Sequence, residues 1–207
     1  MEIEILIAFI IAASLILAAP GPTVVLVVAL AAQRGRGAVL PLAAGVLCGD
    51  LTAMLFSFAG LGALLAASAE WFAAFKWAAA ACLIYLGIKQ WRAKPAAAAV
   101  VPRHKTAAEL FWKSCMVTAI NPKGIVFFTV FMPQFISPAK PAAPQFAILG
   151  AAFLLLAALN AAGYAAFAGK LRGALQGGKA RRINRLSGGA LIGAGIWAAG
   201  IRRGAEI

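Results

Sequence analysis

The sequence predicts an all-α protein that crosses a membrane about six times, and three observations predict it. Apolar residue types fill 63% of the 207 positions and charged residues only 12%. The mean hydropathy is +0.91. The apolar positions gather in runs of about twenty residues or more, the length a helix needs to span a bilayer, and the charges fall between those runs. Soluble domains carry about 25% charged residues, and a domain this small has too little interior to hide so much apolar surface. Lipid must be the solvent for much of the chain. Only helices and closed barrels pair every backbone group there, and runs this long without alternation exclude a barrel.

The runs place spans near residues 3–32, 38–67, 71–91, 109–137, 144–169 and 186–203. The first is near 30 residues, roughly 45 Å of helix against a hydrocarbon core of about 30 Å. It must tilt or break, and Pro20 and Pro22 favour a break. Residues 1–19 read as the start of this span and not as a leader, since Glu2 and Glu4 stand where basic residues would and the run continues past Ala19 to Ala32. The second span carries Gly45-x-x-x-Gly49 and Asp50, the fourth contains Asn121-Pro122-Lys123, and the fifth contains Asn160. Gly189-x-x-x-Gly193 lies in the sixth; both glycine pairs would permit close helix contact.

The net charge of +13 follows from the positive-inside bias, so no nucleic-acid partner is expected. Arg34 and Arg36 fill the first loop. Lys89, Arg92, Lys94, Arg103, Lys105 and Lys113 surround the third, and Lys170, Arg172, Lys179, Arg181, Arg182 and Arg185 the fifth. The opposite side has Lys76, Lys140, Arg202 and Arg203, accompanied by Glu2, Glu4, Glu70 and Glu206. Odd-numbered loops are therefore expected in the cytoplasm and both termini outside, in a bacterial inner membrane. Trp71, Trp91, Trp112 and Trp197 fall near span ends, as interfacial anchors would. Cys48, Cys82 and Cys115 occupy three spans without CxxC spacing, and His104 lies in a basic loop. Neither a metal site, a redox pair nor a cofactor is expected.

Residues 1–92 and 109–207 read as two three-helix halves joined by a linker over 93–108. Gly21-Pro22 recurs as Asn121-Pro122 about 100 residues on. Phe58-Ala59-Gly60 recurs as Phe167-Ala168-Gly169, and Leu83-Ile84-x-x-Gly87-Ile88 as Leu191-Ile192-x-x-Gly195-Ile196. Three spans per half would turn the halves upside down relative to each other, the inverted-repeat plan of many secondary transporters.

In Pro20-Gly21-Pro22 each proline lacks an N–H and clashes with the preceding turn. The carbonyls of Ile16 and Ala18 should lose their helical partners, and a second half-helix should begin near Thr23. Asn121-Pro122-Lys123 should break the fourth span likewise and free the carbonyl of Thr118. Half-helix N-termini meeting near the midplane would carry partial positive charge suited to a carboxylate. A kink used only for packing is the alternative. Asp50 is the one acidic residue well inside a span, where a carboxylate costs about 2.5–3.5 kcal/mol on insertion scales. It would accept a substrate ammonium, carry a coupling proton, pair with Lys123, or make a packing hydrogen bond. Lys123 would anchor a carboxylate or snorkel to the interface. Asn160 would line the site or bond between helices.

These pieces together resemble the LysE/RhtB family of amino-acid exporters. The resemblance rests on Pro20-Gly21-Pro22, Gly45-x-x-x-Gly49-Asp50, Leu83-Ile84-Tyr85-Leu86-Gly87, and Asn121-Pro122-Lys123 followed by Phe127-Phe128 and Pro133-Gln134-Phe135. Asn184-Arg185-x-x-Gly188 adds to it; Cys82, where the family often has an aromatic, departs from it. The resemblance implies outward transport of a small amino acid or derivative, driven by protons, with no enzymatic step and with room for a homo-oligomer. The rival expectations are a transporter of inorganic ions or other metabolites on the same frame, a membrane thiol electron carrier, and a scaffold with no transport cycle.

Overall fold

The computed structural model describes residues 2–67, 69–93, 106–137, 139–171 and 178–200. Among these there are helices and turns and no strand. Helix α1 (Ile3–Ala18) and helix α2 (Pro22–Arg34) flank the first break. A 3-10 turn (Gly35–Ala38) leads into α3 (Val39–Ala67), then α4 (Ala69–Trp91). Next come α5 (Ala107–Ala119) and α6 (Pro122–Val126), the latter continuing as a π turn (Phe127–Phe131) and a 3-10 turn (Met132–Phe135). Helices α7 (Ala142–Ala166) and α8 (Gly178–Gly200) complete the order.

Both expected breaks are present, and local chemistry explains them. Pro20 and Pro22 end α1 at Ala18; Gly21 is extended and N-caps α2, with Pro22 at its first position, the one helical site where a missing N–H costs nothing. At the second break Asn121 N-caps α6, its Oδ1 accepting the Lys123 backbone N–H at 3.1 Å, and Pro122 again opens the helix. The axes of Ala107–Ala119 and Pro122–Phe135 differ by 48°. Helix α5 begins with a capping box in which Thr106 and Glu109 exchange side-chain-to-backbone bonds, so the expected linker is helical from Ala107 onward. Its other positions, 94–105, with Lys94, Arg103, His104 and Lys105, lie outside the described residues, as do Arg172 and positions 201–207 with Arg202, Arg203 and Glu206. The side chains of Trp71, Lys76, Lys179 and Trp197 also lie outside them.

Length and apolarity alone let Pro22–Gly60 and Ala142–Ala166 cross a membrane, and the bent pair α5–α6 passes the same test when its two parts are taken as one span. Helix α1 is apolar but shorter. Pro22–Gly60 is not one straight rod, however. Gly35 takes φ 73°, a conformation open to glycine, and Val24 and Val46 line the same small cavity. On an uninterrupted helix they would stand about 33 Å apart. The chain turns back at Gly35, so α2 belongs to the first interrupted span and α3 to the next.

Two helix pairs approach closely. At Gly45 an added Cβ would strike the Phe111 carbonyl and Ser114 Oγ, and at Gly49 the Cys115 carbonyl and Thr118 Cβ, so α3 and α5 touch through backbone. The α4–α8 contact uses Gly87 against the Gly188 carbonyl and Gly195 against the Ala80 carbonyl. The expected pair Gly189 and Gly193 does not do this: Gly189 meets only the Trp91 ring and Gly193 has nothing within 4 Å. Gly193 lies off the face that α8 turns to α4, and Gly189 meets α4 only through that side chain. One core is aromatic, with Phe9, Phe127, Phe128 and Phe153 fully enclosed and their ring centroids 4.8–5.9 Å apart. The outer surface is apolar in stripes: Ile3, Ile7, Ile11 and Leu15 run down α1, and Leu47, Leu51 and Leu55 down α3, all exposed. Stripes of this size suit lipid and not water.

Candidate functional site

The site grows from the carboxyl end of α1. Prolines at 20 and 22 leave that end without the N–H groups that would continue the helix, so its carbonyls need other donors. Five consecutive carbonyls receive one from a side chain. Lys123 Nζ donates to Ile16 O and to Ala19 O, each at 2.9 Å. Asn160 Nδ2 donates to Leu17 O at 3.2 Å, Tyr164 Oη to Ala18 O at 2.9 Å, and Gln90 Nε2 to Pro20 O at 2.6 Å. The expected loss of a backbone partner holds at Ala18, which is repaired from α7, but not at Ile16, whose carbonyl accepts the Ala19 N–H at 3.2 Å as well as Lys123. A cation also suits the negative end of α1's dipole.

The Thr118 carbonyl behaves differently from expectation. It accepts the Asn121 N–H at 3.0 Å, because the chain tightens into a turn before Pro122 instead of leaving the group open. The two breaks touch: Asn121 Nδ2 donates to Thr23 Oγ1 at 3.1 Å, and Thr118 Oγ1 to the same oxygen at 3.4 Å. Next to this contact, the backbone N–H groups of Thr23 and Val24 at the start of α2, and of Gly124 in α6, find no acceptor among the described residues. All three residues border one cavity.

That cavity is about 40 Å³, room for a few waters, and Asp50, Lys123, Thr23, Thr118, Asn121, Gly124, Asn160 and Tyr164 supply its polar wall. Asp50 is buried, 6% exposed; a Cβ added to Gly124 would lie 3.8 Å from its Oδ1. Asp50 and Lys123 thus face one space without forming an ion pair, the one ion pair among the described residues being Lys140–Glu2 at 3.5 Å. Asp50 has no hydrogen-bond partner among the described residues, which sets aside the packing alternative for it. A larger cavity of about 210 Å³ is lined by Ala19–Pro22 and by Lys89, Gln90 and Ala93; it shares Asn121 and Lys123 with the first.

All nine sequence candidates therefore adjoin one locus: Thr23, Asp50, Asn121, Lys123 and Asn160 border the inner cavity, and Pro20, Gly21, Pro22 and Pro122 border its neighbour. Lys123 does not snorkel. Tyr164, Gln90 and Thr118 were missed. Tyr164 lies one turn beyond Asn160 on the same face of α7, a signal available in the sequence. Gln90 carried none; it is held by Asn184 Oδ1 at 3.0 Å, a contact between α4 and α8. Cys48 and Cys115, expected in separate spans, meet thiol to thiol across the α3–α5 contact. Among the described residues, no three His, Cys, Asp or Glu side chains gather as metal ligands.

The sequence model of the LysE type translocator family matches residues 14–199. The chain belongs to that family. LysE type translocators are transporters and not enzymes, and the apolar stripes accord with a membrane protein. The chain is similar to an uncharacterized membrane protein of Vibrio cholerae, 32% identical over 95% of this chain and 97% of the relative. It is also similar to the homoserine/homoserine lactone efflux protein of Salmonella typhimurium, 32% identical over 93% of this chain and 94% of that one. A leucine efflux protein of the same organism is 29% identical, with 64% of each chain covered. No solved structure matches.

Proposed function

We propose that this protein is a secondary transporter that exports a small amino acid or a close derivative from the cytoplasm, coupled to protons. The observation that carries the proposal is the convergence of both helix breaks and the buried Asp50 on one cavity. The efflux proteins among its relatives support the direction of transport. In this reading the free N–H groups of Thr23, Val24 and Gly124, with the third N–H of the Lys123 ammonium, receive the substrate carboxylate. Asp50 receives the ammonium or a proton. Asn160 and Tyr164 hold the α1 end open, and Pro20, Gly21, Pro22, Asn121 and Pro122 make the breaks that expose these groups.

The topology that goes with this reading has six spans in the bacterial inner membrane, both termini outside, and halves 1–92 and 109–207 inverted about the linker 93–108. Arg34, Arg36, Lys170, Arg181, Arg182 and Arg185 fall in the first and fifth loops and the helix ends that flank them, whereas Lys140 pairs with Glu2. That asymmetry supports the orientation. A homo-oligomer is compatible with it.

Cells expressing the protein and fed a panel of dipeptides are expected to release one or a few amino acids faster than cells without it. Counterflow with amino acids against inorganic ions separates this reading from an ion transporter on the same frame.

A further inference from the structure

The inner cavity holds a balanced pair of charges and nothing to match a third. Asp50 and Lys123 are its only charged lining residues. A zwitterion places its carboxylate against Lys123 and the free N–H groups and its ammonium toward Asp50, so every charge meets an opposite one. Beyond these and the neutral polar groups of Thr23, Thr118, Asn121, Asn160 and Tyr164, the wall is apolar, with Val27, Val46, Phe127, Phe153, Ala157 and Ala161. Asn160 has its Nδ2 on the Leu17 carbonyl and Tyr164 its hydroxyl proton on the Ala18 carbonyl. A charged side chain on the substrate would be desolvated there without a counter-charge, a strongly unfavourable arrangement. A further cation, Lys89, borders the neighbouring cavity and not this one.

Helix α7 sets the depth of the apolar end. Phe153, Ala157 and Ala161 follow one another at one-turn spacing along the face it presents to the cavity, with Ala157 1% exposed and Ala161 4%. Two methyl groups stand where larger side chains would fill about 40 Å³ of space.

We infer that the substrate is an amino acid with a compact, uncharged side chain, which lies against Ala157 and Ala161, and that these two residues set its size limit. The inference rests on the exporter reading and narrows it. The test measures initial efflux from expressing cells loaded with dipeptides that release glycine, alanine, threonine, leucine, lysine, arginine or glutamate, for wild type, Ala157→Gly and Ala157→Val. Wild type should export one or more uncharged members and export lysine, arginine and glutamate about 100-fold more slowly or less. Ala157→Val should lower the ratio of larger to smaller uncharged substrates, and Ala157→Gly should raise it, by about 10-fold each. Because that readout is a ratio within one variant, it does not depend on how much protein folds. Export of a charged amino acid at the rate of the uncharged ones would overturn the substrate class and leave the exporter reading standing. Equal scaling of all substrates by both variants would overturn the role of Ala157. Release of no amino acid would overturn the exporter reading itself, and this inference with it.

Discussion

Replacing Lys123 by methionine keeps the stem and removes the ammonium, and the consequences can be worked from its two bonds. Nζ donates to the Ile16 and Ala19 carbonyls at 2.9 Å each. The Ile16 carbonyl keeps the Ala19 N–H at 3.2 Å, so the variant leaves the Ala19 carbonyl as the group without a partner, at a cost of about 1–3 kcal/mol. Two effects reduce this. The desolvation penalty of the ammonium disappears, worth several kcal/mol in general. Water can also reach Ala19 from the larger cavity that it lines. A third effect adds to the loss, because Asp50 then has no opposite charge across the cavity. We expect a net destabilisation of about 2 kcal/mol, which for a chain of this size lowers Tm by roughly 4–8 °C. Thermal unfolding of the purified protein in detergent reads it. Adding Asp50→Asn to Lys123→Met should recover part of the loss, since the double variant leaves no lone charge. A Lys123→Met protein that melts with wild type and exports with unchanged affinity would refute both the scaffolding and the anchoring roles assigned to this lysine.

Three further outcomes are expected. Asp50→Asn should abolish the dependence of export on the proton gradient, measured in vesicles with an imposed pH step; unchanged rate and pH response would remove Asp50 from the mechanism. Gly49→Val should cost about 1–3 kcal/mol of stability because its Cβ would meet the Cys115 carbonyl and lie 2.7 Å from Thr118 Cβ, whereas Gly193→Ala, with nothing within 4 Å, should be neutral; equal melting of the two would contradict the α3–α5 packing. Replacing Cys48, Cys82 and Cys115 together by serine should leave export intact, and its loss would revive a thiol-based mechanism.

The breaks were legible because proline chemistry is local: Pro20, Pro22 and Pro122 dictate where helices stop whatever surrounds them. Asp50 and Lys123 stood out because charge within an apolar run is costly. What the sequence hid was tertiary. That Lys123 caps the end of α1 depends on a neighbour 107 positions away, and Gln90 reaches Pro20 across 70 positions. The turn at Gly35 sends α2 and α3 past each other so that Val24 and Val46 share a wall, which no periodicity reveals. Gly189 and Gly193 matched a packing pattern, yet Gly193 meets nothing and Gly189 only the Trp91 ring, while Gly188 and Gly195 make the backbone contacts with α4. A spacing rule names a face of a helix, but only the neighbour decides which face is used.

The claim that the paired breaks enclose the substrate can be measured at Ala157. A single cysteine there, in the protein whose native cysteines are serine, would be alkylated by a small thiol reagent in reconstituted vesicles. Saturating exported amino acid should slow that alkylation several-fold in proportion to occupancy, while a non-exported amino acid leaves it alone. Alkylation at the same rate with and without substrate, in vesicles that still transport, would place the substrate elsewhere.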